Sequence, residues 1–371
     1  MGKMKVIEYI STLGDGGAET LVKDYVRLMD HERFAPVIVV MRGGEMSANR
    51  RIIEENKIPV IEIFPRWNLG VRVWKKIIGW WYIPFKMRQI IIKENAEVVH
   101  MHLMVLKDMP RVGKALKNVR LFFTCHNEPK AVFGAARKKE RKSAEYLIQN
   151  HRMQMIALHN GMAQELNEMF EIDNTVVVWN GIEVKRFRDL TITSAAKRKE
   201  LGIPEDAYVI GNVGRFAEAK NHLFLVDVFA EVAKICSKAF LLMVGYGDSS
   251  LVEARIKEYG LGDRYLILSQ RKDVNEILRA MDVFVFPSIY EGMPVALIEA
   301  QFAGLKCVIS DTITREAVNT DNVLVLPLGN PQEWAKAIVG DHRSGEYCGD
   351  LSNFDMTNVI NSLERLYSGS K

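Results

Sequence analysis

The chain has few cysteines and no long apolar run, and each shortage excludes a class of protein. Its 371 residues include only four cysteines, which form no C-x-x-C pair. This spacing argues against a disulfide framework or a zinc site and favours a reduced, cytoplasmic protein. No stretch approaches the roughly 18 apolar residues of a membrane span. The four cysteines are Cys125, Cys236, Cys307 and Cys348.

Several catalytic motifs are also missing from the sequence. It contains no Gly-x-Ser-x-Gly elbow and no P-loop lysine motif. It also lacks an isolated Asp-x-Asp motif in the expected loops and a His/Cys cluster at metal-binding spacing. We therefore expect neither a catalytic metal nor a cofactor. The short apolar run within residues 1–14 predicts a first β-strand rather than a signal peptide.

The sequence does contain a regular alternation of short Val- and Ile-rich runs with longer helical patterns. Continuous hydrophobicity predicts strands buried on both faces, and the intervening helices predict βαβ units. After Thr175–Trp179 a stretch with turn signals and mixed charge follows, and the series restarts at Tyr208–Val213. We predict an α/β protein with two Rossmann-like doubly wound domains, residues 1–187 and 188–354, and ligands in the cleft between them.

The most informative segment is Glu291-Gly-Met-Pro-Val-Ala-Leu-Ile-Glu299, which follows a predicted buried strand. Pro294 suits the first position of a helix and Gly304 its C-terminal stop. Backbone N–H groups at a helix start bind anions, and Glu291 can accept hydrogen bonds from sugar hydroxyls there. Glu299 can hold the paired hydroxyls of a ribose. One glutamate alone would indicate a helix cap or a solvated side chain, but the whole run after a buried strand favours a ligand site.

A second loop, from Gly214 to Asn221, follows the first strand of the second predicted domain. Its Arg215 and Lys220 can neutralise a diphosphate. When a sugar–phosphate bond breaks, the leaving oxygen gains negative charge that fixed cations stabilise. A pair of solvated basic residues is an equally good interpretation of these two side chains taken alone.

Two features of the first predicted domain are also candidates for binding a ligand. The glycines of the turn Gly14–Thr20 let a backbone approach a ligand closely. The turn is not a dinucleotide fingerprint, because Glu19 stands at the third glycine of G-x-G-x-x-G. His126, at a strand end, can hydrogen-bond a sugar or stabilise charge. The alternatives are a tight turn without function and a structural histidine.

In their order along nearly the whole chain, these motifs resemble the large retaining glycosyltransferase family 4, whose fold is GT-B. Within it they are most similar to bacterial exopolysaccharide and capsule transferases. The resemblance implies sugar transfer from a nucleotide diphosphate sugar, UDP being the expected nucleotide, to a lipid-linked or growing glycan acceptor. It implies retention by front-face attack, without the carboxylate nucleophile of retaining hydrolases. The matching segments are Gly16–Glu19, Asn180-Gly181, Gly214-Arg215, Lys220-Asn221, Glu291–Glu299 and Phe354-Asp355.

The resemblance also assigns roles to individual residues. Arg215 and Lys220 correspond to a diphosphate clamp, Glu291 to the sugar contact and Glu299 to the ribose ligand. His126 corresponds to a group near the donor sugar and joins Glu291, Arg215 and Lys220 as a catalytic candidate. A final helix, at about residues 355–371, is expected to pack back on the first domain. The other donor-binding candidates are Gly16, Gly17, Arg271, Gly292, Met293, Pro294 and Val295.

The charge distribution sets residues 66–93 apart. This segment has seven Lys/Arg, no Asp or Glu, and four of the six tryptophans. Such a composition suits peripheral binding to the inner face of the cell membrane, and the alternative is a core-packed helix with a solvated basic side. We expect no nucleic-acid partner. Pro84 is expected to end a helix whose apolar face holds Val71, Trp74, Ile78 and Trp81.

Three alternative functions stay open at this point. A sugar-nucleotide 2-epimerase shares the two-domain architecture and would need no acceptor. A dinucleotide oxidoreductase is disfavoured by Glu19. A non-catalytic homologue at the membrane surface would bind lipid without turnover, although it would have no physical reason to keep the acidic and basic residues of the predicted site.

Overall fold

The protein is described here by a computed structural model, and its described residues fall into two compact units. Unit 1 comprises Met1–Gly181 with Met356–Lys371, and unit 2 comprises Ile182–Asp355. Cys348 lies outside the described residues, whereas every predicted site residue lies within them. The described ranges are 2–44, 46–269, 271–340 and 351–369.

Unit 1 contains a parallel sheet of seven strands with helices between them. Its strands are β1 (Met4–Ile10), β2 (Phe34–Arg42), β3 (Val60–Phe64), β4 (Val98–His102), β5 (Arg120–Thr124), β6 (Gln154–Ala157) and β7 (Val176–Val177). Its helices are α1 (Gly17–Leu28), α2 (Ala48–Glu55), α3 (Leu69–Glu94), α4 (Pro129–Phe133), α5 (Lys138–His151) and α6 (Asn160–Phe170). The strand order β3-β2-β1-β4-β5-β6-β7 places β1 beside β4, and the chain winds outward from these two strands in opposite directions.

Unit 2 repeats this plan with six described strands. They are β8 (Tyr208–Val213), β9 (Ala239–Val244), β10 (Tyr265–Leu268), β11 (Val283–Phe286), β12 (Lys306–Ser310) and β13 (Val323–Leu326). Its helices are α7 (Lys185–Arg188), α8 (Ser194–Leu201), α9 (His222–Ile235), α10 (Ser250–Glu258), α11 (Val274–Leu278), α12 (Val295–Phe302) and α13 (Pro331–Val339). The order β10-β9-β8-β11-β12-β13 makes β8 and β11 the adjacent strands at which the winding reverses.

The cores explain why the apolar runs were continuous rather than alternating. In unit 2, Ile210, Leu241 and Val285 are fully buried in one cluster with Phe229 of α9. Leu242 and Phe284, which alternate with these residues and face the other side of the sheet, are fully buried as well. Both faces of the sheet are therefore covered, as expected for parallel strands with helical crossovers. The two-domain α/β prediction is confirmed. The sequence missed β13, whose residues are only partly buried and therefore give a weak apolar signal.

The last helix, α14 (Met356–Ser368), belongs to unit 1 although it follows unit 2 in sequence. Its buried face packs against Val6, Tyr25 and Phe34 of unit 1. The boundary before unit 2 lies at residues 181/182, six residues ahead of the predicted position. Residues 182–187 belong to unit 2 because Phe187 packs on Phe302, with ring centroids 6.2 Å apart.

The prediction that Pro84 ends its helix is wrong. Helix α3 continues through Pro84 to Glu94. A proline inside a helix has no N–H to donate to the carbonyl four residues earlier, which here is that of Trp80. Arg111 Nη1 donates to the Trp80 carbonyl oxygen at 3.4 Å instead. Satisfying this carbonyl removes part of the cost that normally makes proline a helix breaker.

Candidate functional site

The candidate site of unit 2 lies at the carboxyl ends of β8 and β11. Ligands of doubly wound sheets bind where winding reverses, because the two loops there diverge and leave a crevice. The loop after β8 carries residues 214–221 and the loop after β11 carries residues 287–294. Sheet order thus brings together two segments that are about 70 residues apart in sequence.

An ion pair joins these two loops. Lys220 Nζ lies 2.5 Å from Glu291 Oε1, and the side chains are 22% and 13% exposed. Lys220 Nζ also lies 4.8 Å from the centroid of the Phe286 ring. A backbone hydrogen bond from Ile289 N–H to the Ala219 carbonyl oxygen, 2.7 Å long, ties the loops a second time. Both charged groups are therefore held in place yet stay accessible to a polar ligand.

Helix α12 begins directly after this pair. Val295 is its first residue, and Pro294 is the capping residue before it rather than the first helical residue predicted. The amides of Val295 and Ala296 lie in the first turn, where no intrahelical acceptor exists. Such amides, together with the helix dipole, favour an anion. Gly304 follows the helix at φ 75°, the left-handed conformation expected of a terminating glycine.

The other predicted residues of this segment surround the start of α12. Gly292 and Met293 are buried, and Glu299 is partly buried one turn into the helix. The turn after β11 is held by residues at the end of β12 and just beyond it. Thr312 Oγ1 donates to the Ser288 carbonyl oxygen at 2.8 Å. Ser310 Oγ donates to the same oxygen at 2.5 Å. The end of β12 and the residues directly after it thus hold the turn after β11 in place.

Arg215 and Arg271 differ in their surroundings. Arg215 is exposed on the loop after β8 and makes no hydrogen bond or ion pair with the residues that the structure describes. Arg271 instead makes two short bonds to Asp273, at 2.7 and 2.6 Å, and a longer one to Glu200. Lys197 joins the same cluster through Asp273 at 2.6 Å. Arg215 is thus free to meet an anion, whereas Arg271 already has carboxylate partners.

The glycine turn of unit 1 lies at the carboxyl end of β1, again where winding reverses. Gly16 caps α1 and Gly17 is its first residue. A Cβ atom on Gly16 would lie 2.4 Å from Glu19 Oε2, while one on Gly17 would meet nothing within 4 Å. Thr12 Oγ1 holds the Glu19 carboxylate at 2.9 Å. A side chain at Gly16 would therefore have to displace the Glu19 carboxylate, whereas Gly17 leaves open space beside the helix start.

His126 follows β5 and is connected to a buried polar network that sequence reasoning missed. Its Nε2 lies 2.9 Å from His102 Nδ1, and His102 Nε2 lies 2.7 Å from Glu8 Oε2. Burial raises the pKa of Glu8 to about 8 and lowers the pKa of His102 to about 3. Burial and the neighbouring His102 hold the pKa of His126 well below its usual range. The available signal was the His100-x-His102 alternation at the end of an apolar strand.

The same network places three potential metal ligands together. Glu8, His100 and His102 are fully buried and offer ligand atoms within 4.8 Å of one another. Each of these atoms already faces a protein group, however. His100 Nε2 lies 2.7 Å from Thr124 Oγ1 and its Nδ1 lies 2.5 Å from the Tyr367 hydroxyl. Because every imidazole nitrogen has a hydrogen-bond partner, the donor set fits a closed polar network rather than a metal site.

Helix α3 presents a second candidate surface. Ile77, Trp80 and Trp81 are 65%, 59% and 45% exposed, and Val73 and Phe85 continue the stripe at helical spacing. The opposite side packs on unit 1 through residues such as Ile83 and Met87. Of the predicted apolar face, Trp74 and Trp81 are exposed, whereas Val71 and Ile78 are partly buried. None of the described helices combines the length and the hydrophobicity that crossing a bilayer requires.

Comparison with known proteins agrees with this architecture. Residues 15–186 match the family model described as Glycosyltransferase Family 4, and residues 207–340 match the one described as Glycosyl transferases group 1. Together the two matches span more than four fifths of the chain.

Two relatives and one solved structure illustrate the similarity. The putative glycosyltransferase EpsF of Bacillus subtilis is 28% identical over 90% of this chain and 86% of its own length. The Escherichia coli UDP-Gal:alpha-D-GlcNAc-diphosphoundecaprenol alpha-1,3-galactosyltransferase is 30% identical over 64% of this chain and 62% of its own length. The crystal structure of Anabaena Alr3699/HepE in complex with UDP-glucose superposes with a TM-score of 0.79. It shares 18% identity and covers 99% of this chain and 100% of that one.

Proposed function

The chain belongs to the family 4 glycosyltransferases, and from this premise we propose that it moves a sugar from a UDP-sugar to a lipid-linked glycan acceptor during polysaccharide or capsule synthesis. The observation that carries the proposal is the Lys220–Glu291 pair at the start of α12, with Arg215 exposed on the same loop as Lys220. This arrangement offers cations and helix amides for a diphosphate and a carboxylate for hydroxyl groups.

The proposed chemistry assigns one task to each group. Arg215, Lys220 and the first amides of α12 stabilise the charge that develops on the departing UDP. Glu291 accepts hydrogen bonds from the sugar, and Glu299 accepts them from the ribose. With the diphosphate charge met by these groups, we propose a reaction that needs no metal ion. The Gly16–Gly17 turn is proposed to approach the phosphates through its backbone.

We further propose that the reaction retains anomeric configuration. Neither Glu291 nor Glu299 is required as a nucleophile, because front-face attack lets the departing phosphate oxygen take the acceptor proton. His126 is proposed to hydrogen-bond the donor sugar. A UDP-sugar is favoured as donor because the names of the galactosyltransferase and the HepE complex both specify uridine nucleotides. We propose that Arg271 lies near the nucleobase. Its bonds to Asp273 and Glu200 then either stay in place beside the base or rearrange when the base binds.

The acceptor is proposed to reach unit 1 from a membrane surface. The exposed stripe of Val73, Ile77, Trp80, Trp81 and Phe85 has the amphipathic character of an interfacial helix. Exposed Arg72, Lys76 and Arg88 flank it and suit an anionic leaflet. A lipid-linked acceptor also appears in the name of the galactosyltransferase relative. We therefore propose that the protein acts peripherally on the inner face of the cell membrane.

The deciding experiment is a donor panel. The purified chain is incubated with UDP-, GDP- and ADP-sugars, with and without extracted lipid-linked glycan, and nucleotide release and product linkage are measured. Release of UDP with formation of an α-linked product from an α-linked donor is expected. An absence of binding and turnover with every donor would reject the proposal. Products formed with an inverted anomeric centre would reject retention alone.

A further inference from the structure

A continuous chain of hydrogen bonds crosses the interior of unit 1. It runs from Thr124 of β5 through His100 of β4 to Tyr367 of α14, then through Glu8 of β1 and His102 of β4 to His126. Glu8, His100 and His102 are fully buried, and Tyr367 is buried as well. The last helix of the chain thus contributes a hydroxyl group to a network that ends at a predicted catalytic residue.

Counting protons fixes the direction of each hydrogen bond in the half of the network between Thr124 and Glu8. The Tyr367 hydroxyl has a single proton, which it donates to Glu8 Oε1 at 2.9 Å. The Tyr367 oxygen must then accept from His100 Nδ1–H. His100 Nε2 in turn accepts from the Thr124 hydroxyl at 2.7 Å. His100 is therefore neutral with its proton on Nδ1, which agrees with a pKa lowered by burial and by the neighbouring histidines.

The other half admits two arrangements. When Glu8 is protonated, its Oε2–H donates to His102 Nε2, and His102 Nδ1–H donates to His126 Nε2. The remaining proton of neutral His126 then sits on Nδ1. When Glu8 is ionised, both bonds reverse: His126 Nε2–H donates to His102 Nδ1, and His102 Nε2–H donates to Glu8. The second arrangement has one proton fewer, because His126 Nδ1 has released its proton. The Glu8 proton has moved to His102 Nε2, and the proton of His102 Nδ1 has moved to His126 Nε2.

We propose that Glu8 acts through His102 as a positioning residue that decides which nitrogen of His126 carries the proton. His126 Nδ1 makes no hydrogen bond with any residue that the structure describes, so this atom is the one available to a ligand. It is an N–H donor when Glu8 is protonated and a bare acceptor when Glu8 is ionised. The ring itself stays neutral in both arrangements.

The groups around Glu8 determine where this change occurs in pH. Glu8 faces His100 and His102 of β4, Tyr367 of α14 and Tyr25 of α1. Burial raises the Glu8 pKa to about 8, and the bond from Tyr367 opposes part of that rise. His126 faces His102, and its lowered pKa keeps a second proton off the ring. At neutral pH the network therefore holds the Nδ1–H form of His126.

The consequence for catalysis rests on the proposed function. A donated hydrogen bond from Nδ1–H to a sugar oxygen is lost when Glu8 ionises, so kcat/KM should fall by about tenfold per pH unit above pH 8. Glu8→Gln should remove this fall. The glutamine amide keeps the shape of the carboxyl group, accepts from Tyr367 through its oxygen and donates permanently to His102 through its NH₂ group.

The decisive measurement follows the His126 tautomer directly. Imidazole ¹⁵N chemical shifts of the labelled full chain are recorded from pH 6.5 to 9.5. In the parent protein, the His126 proton should move from Nδ1 to Nε2 with a midpoint near pH 8, whereas Glu8→Gln should keep the Nδ1–H form throughout. Glu62→Gln, on β3 beside Arg50, is the matched control and should switch as the parent does. The proposal would be overturned if His126 of the parent protein kept one tautomer across the range. It would also be overturned if His126 still changed tautomer in the Glu8→Gln variant.

A second variant tests the same proposal in case Glu8→Gln does not fold. Tyr367→Phe removes the hydroxyl group that lowers the Glu8 pKa, so the tautomer midpoint should move to higher pH. An unchanged midpoint in this variant would count against the network. The role of Glu8 and the proposed function can fail separately. A pH-dependent tautomer change of His126 without turnover of any sugar nucleotide would reject the proposed function alone. Turnover without that tautomer change would reject the role of Glu8 alone.

Discussion

Lys220 Nζ lies 2.5 Å from Glu291 Oε1, and this ion pair connects the two loops that diverge at the winding reversal of unit 2. The pair is partly buried, so the cost of desolvating the two charges offsets much of their attraction, and the pair is weak evidence for stability. We propose that the pair serves orientation, presenting the lysine to an anion and the carboxylate to hydroxyl groups beside the first amides of α12. The following predictions separate these roles.

Arg215→Ala should lower kcat by about 100-fold, because the cation is proposed to stabilise charge that develops on the leaving diphosphate. The melting temperature should not change, since Arg215 makes no bond with the described residues. Steady-state UDP release and a thermal unfolding curve measure the two quantities. Lys234→Ala on α9 is the control, because it removes another exposed cation, paired with Glu231. An unchanged kcat for Arg215→Ala would show that the clamp is misassigned.

Lys220→Ala should weaken UDP binding by about tenfold or more, because it removes a cation and leaves Glu291 to repel the phosphates. The double variant Lys220→Ala/Glu291→Gln should recover part of that affinity, since the repelling charge is gone. Titration calorimetry with UDP measures both variants. Additive losses in the double variant would mean that Glu291 does not face the diphosphate.

Glu299→Gln should weaken uridine and UDP by the same factor, about tenfold, because its proposed partners are ribose hydroxyl groups. Arg215→Ala should weaken UDP while leaving uridine unaffected. Binding constants for the two ligands therefore distinguish a ribose contact from a phosphate contact. Glu253→Gln on α10 serves as a control. A loss confined to UDP would move Glu299 to the phosphate end of the site.

Replacing Ile77 and Trp81 with serine should reduce binding to vesicles that contain phosphatidylglycerol, because both side chains are exposed on the α3 stripe. Sedimentation with vesicles measures the effect, and circular dichroism checks the fold. Leu251→Ser on α10 is a matched control, since Leu251 is 71% exposed and lies in unit 2. Loss of folding in the α3 variant would support the core-packed alternative for this helix.

Glu8 should make the free energy of unfolding fall as pH rises. A carboxyl whose folded pKa is about 8 binds its proton more tightly than in the unfolded chain, so its stabilising effect is complete below pH 4.5 and is lost as pH rises through 8. The lowered pKa values of His100, His102 and His126 act in the opposite direction below pH 6.5. Between pH 6.5 and 8 these histidine effects are absent, and Glu8 should contribute a slope of up to about 1.4 kcal/mol per pH unit.

Urea unfolding of the parent chain and of Glu8→Gln at several pH values measures this slope. The variant should lose stability less steeply with pH than the parent across the same window. Glu62→Gln should keep the parent slope, because Glu62 pairs with Arg50 near the surface of unit 1. Parallel slopes for the parent and Glu8→Gln would show that Glu8 does not hold its proton at neutral pH.

Local sequence signals determined the elements of this protein and several loops of the candidate site. Buried parallel strands need continuous apolar runs, so β8 was predicted at the bounds that the structure has, Tyr208–Val213. Glycine and proline punctuate helix ends, so the start and end of α12 were predicted to within one residue. The roles of Arg215 and Glu299 stay predictions that the experiments above address.

Tertiary structure alone decided which distant side chains meet. Pro84 lies inside a helix, where Arg111 bonds to the carbonyl that proline leaves free. Glu8 and Tyr367 are 359 residues apart, yet they share a hydrogen bond because α14 follows unit 2 in sequence but packs in unit 1. The sequence by itself determined where strands, helices and turns occur, since these depend on neighbouring residues. Only the fold decided the protonation of Glu8 and the partner of His126, because burial and hydrogen bonding depend on contacts between strands that no local pattern encodes.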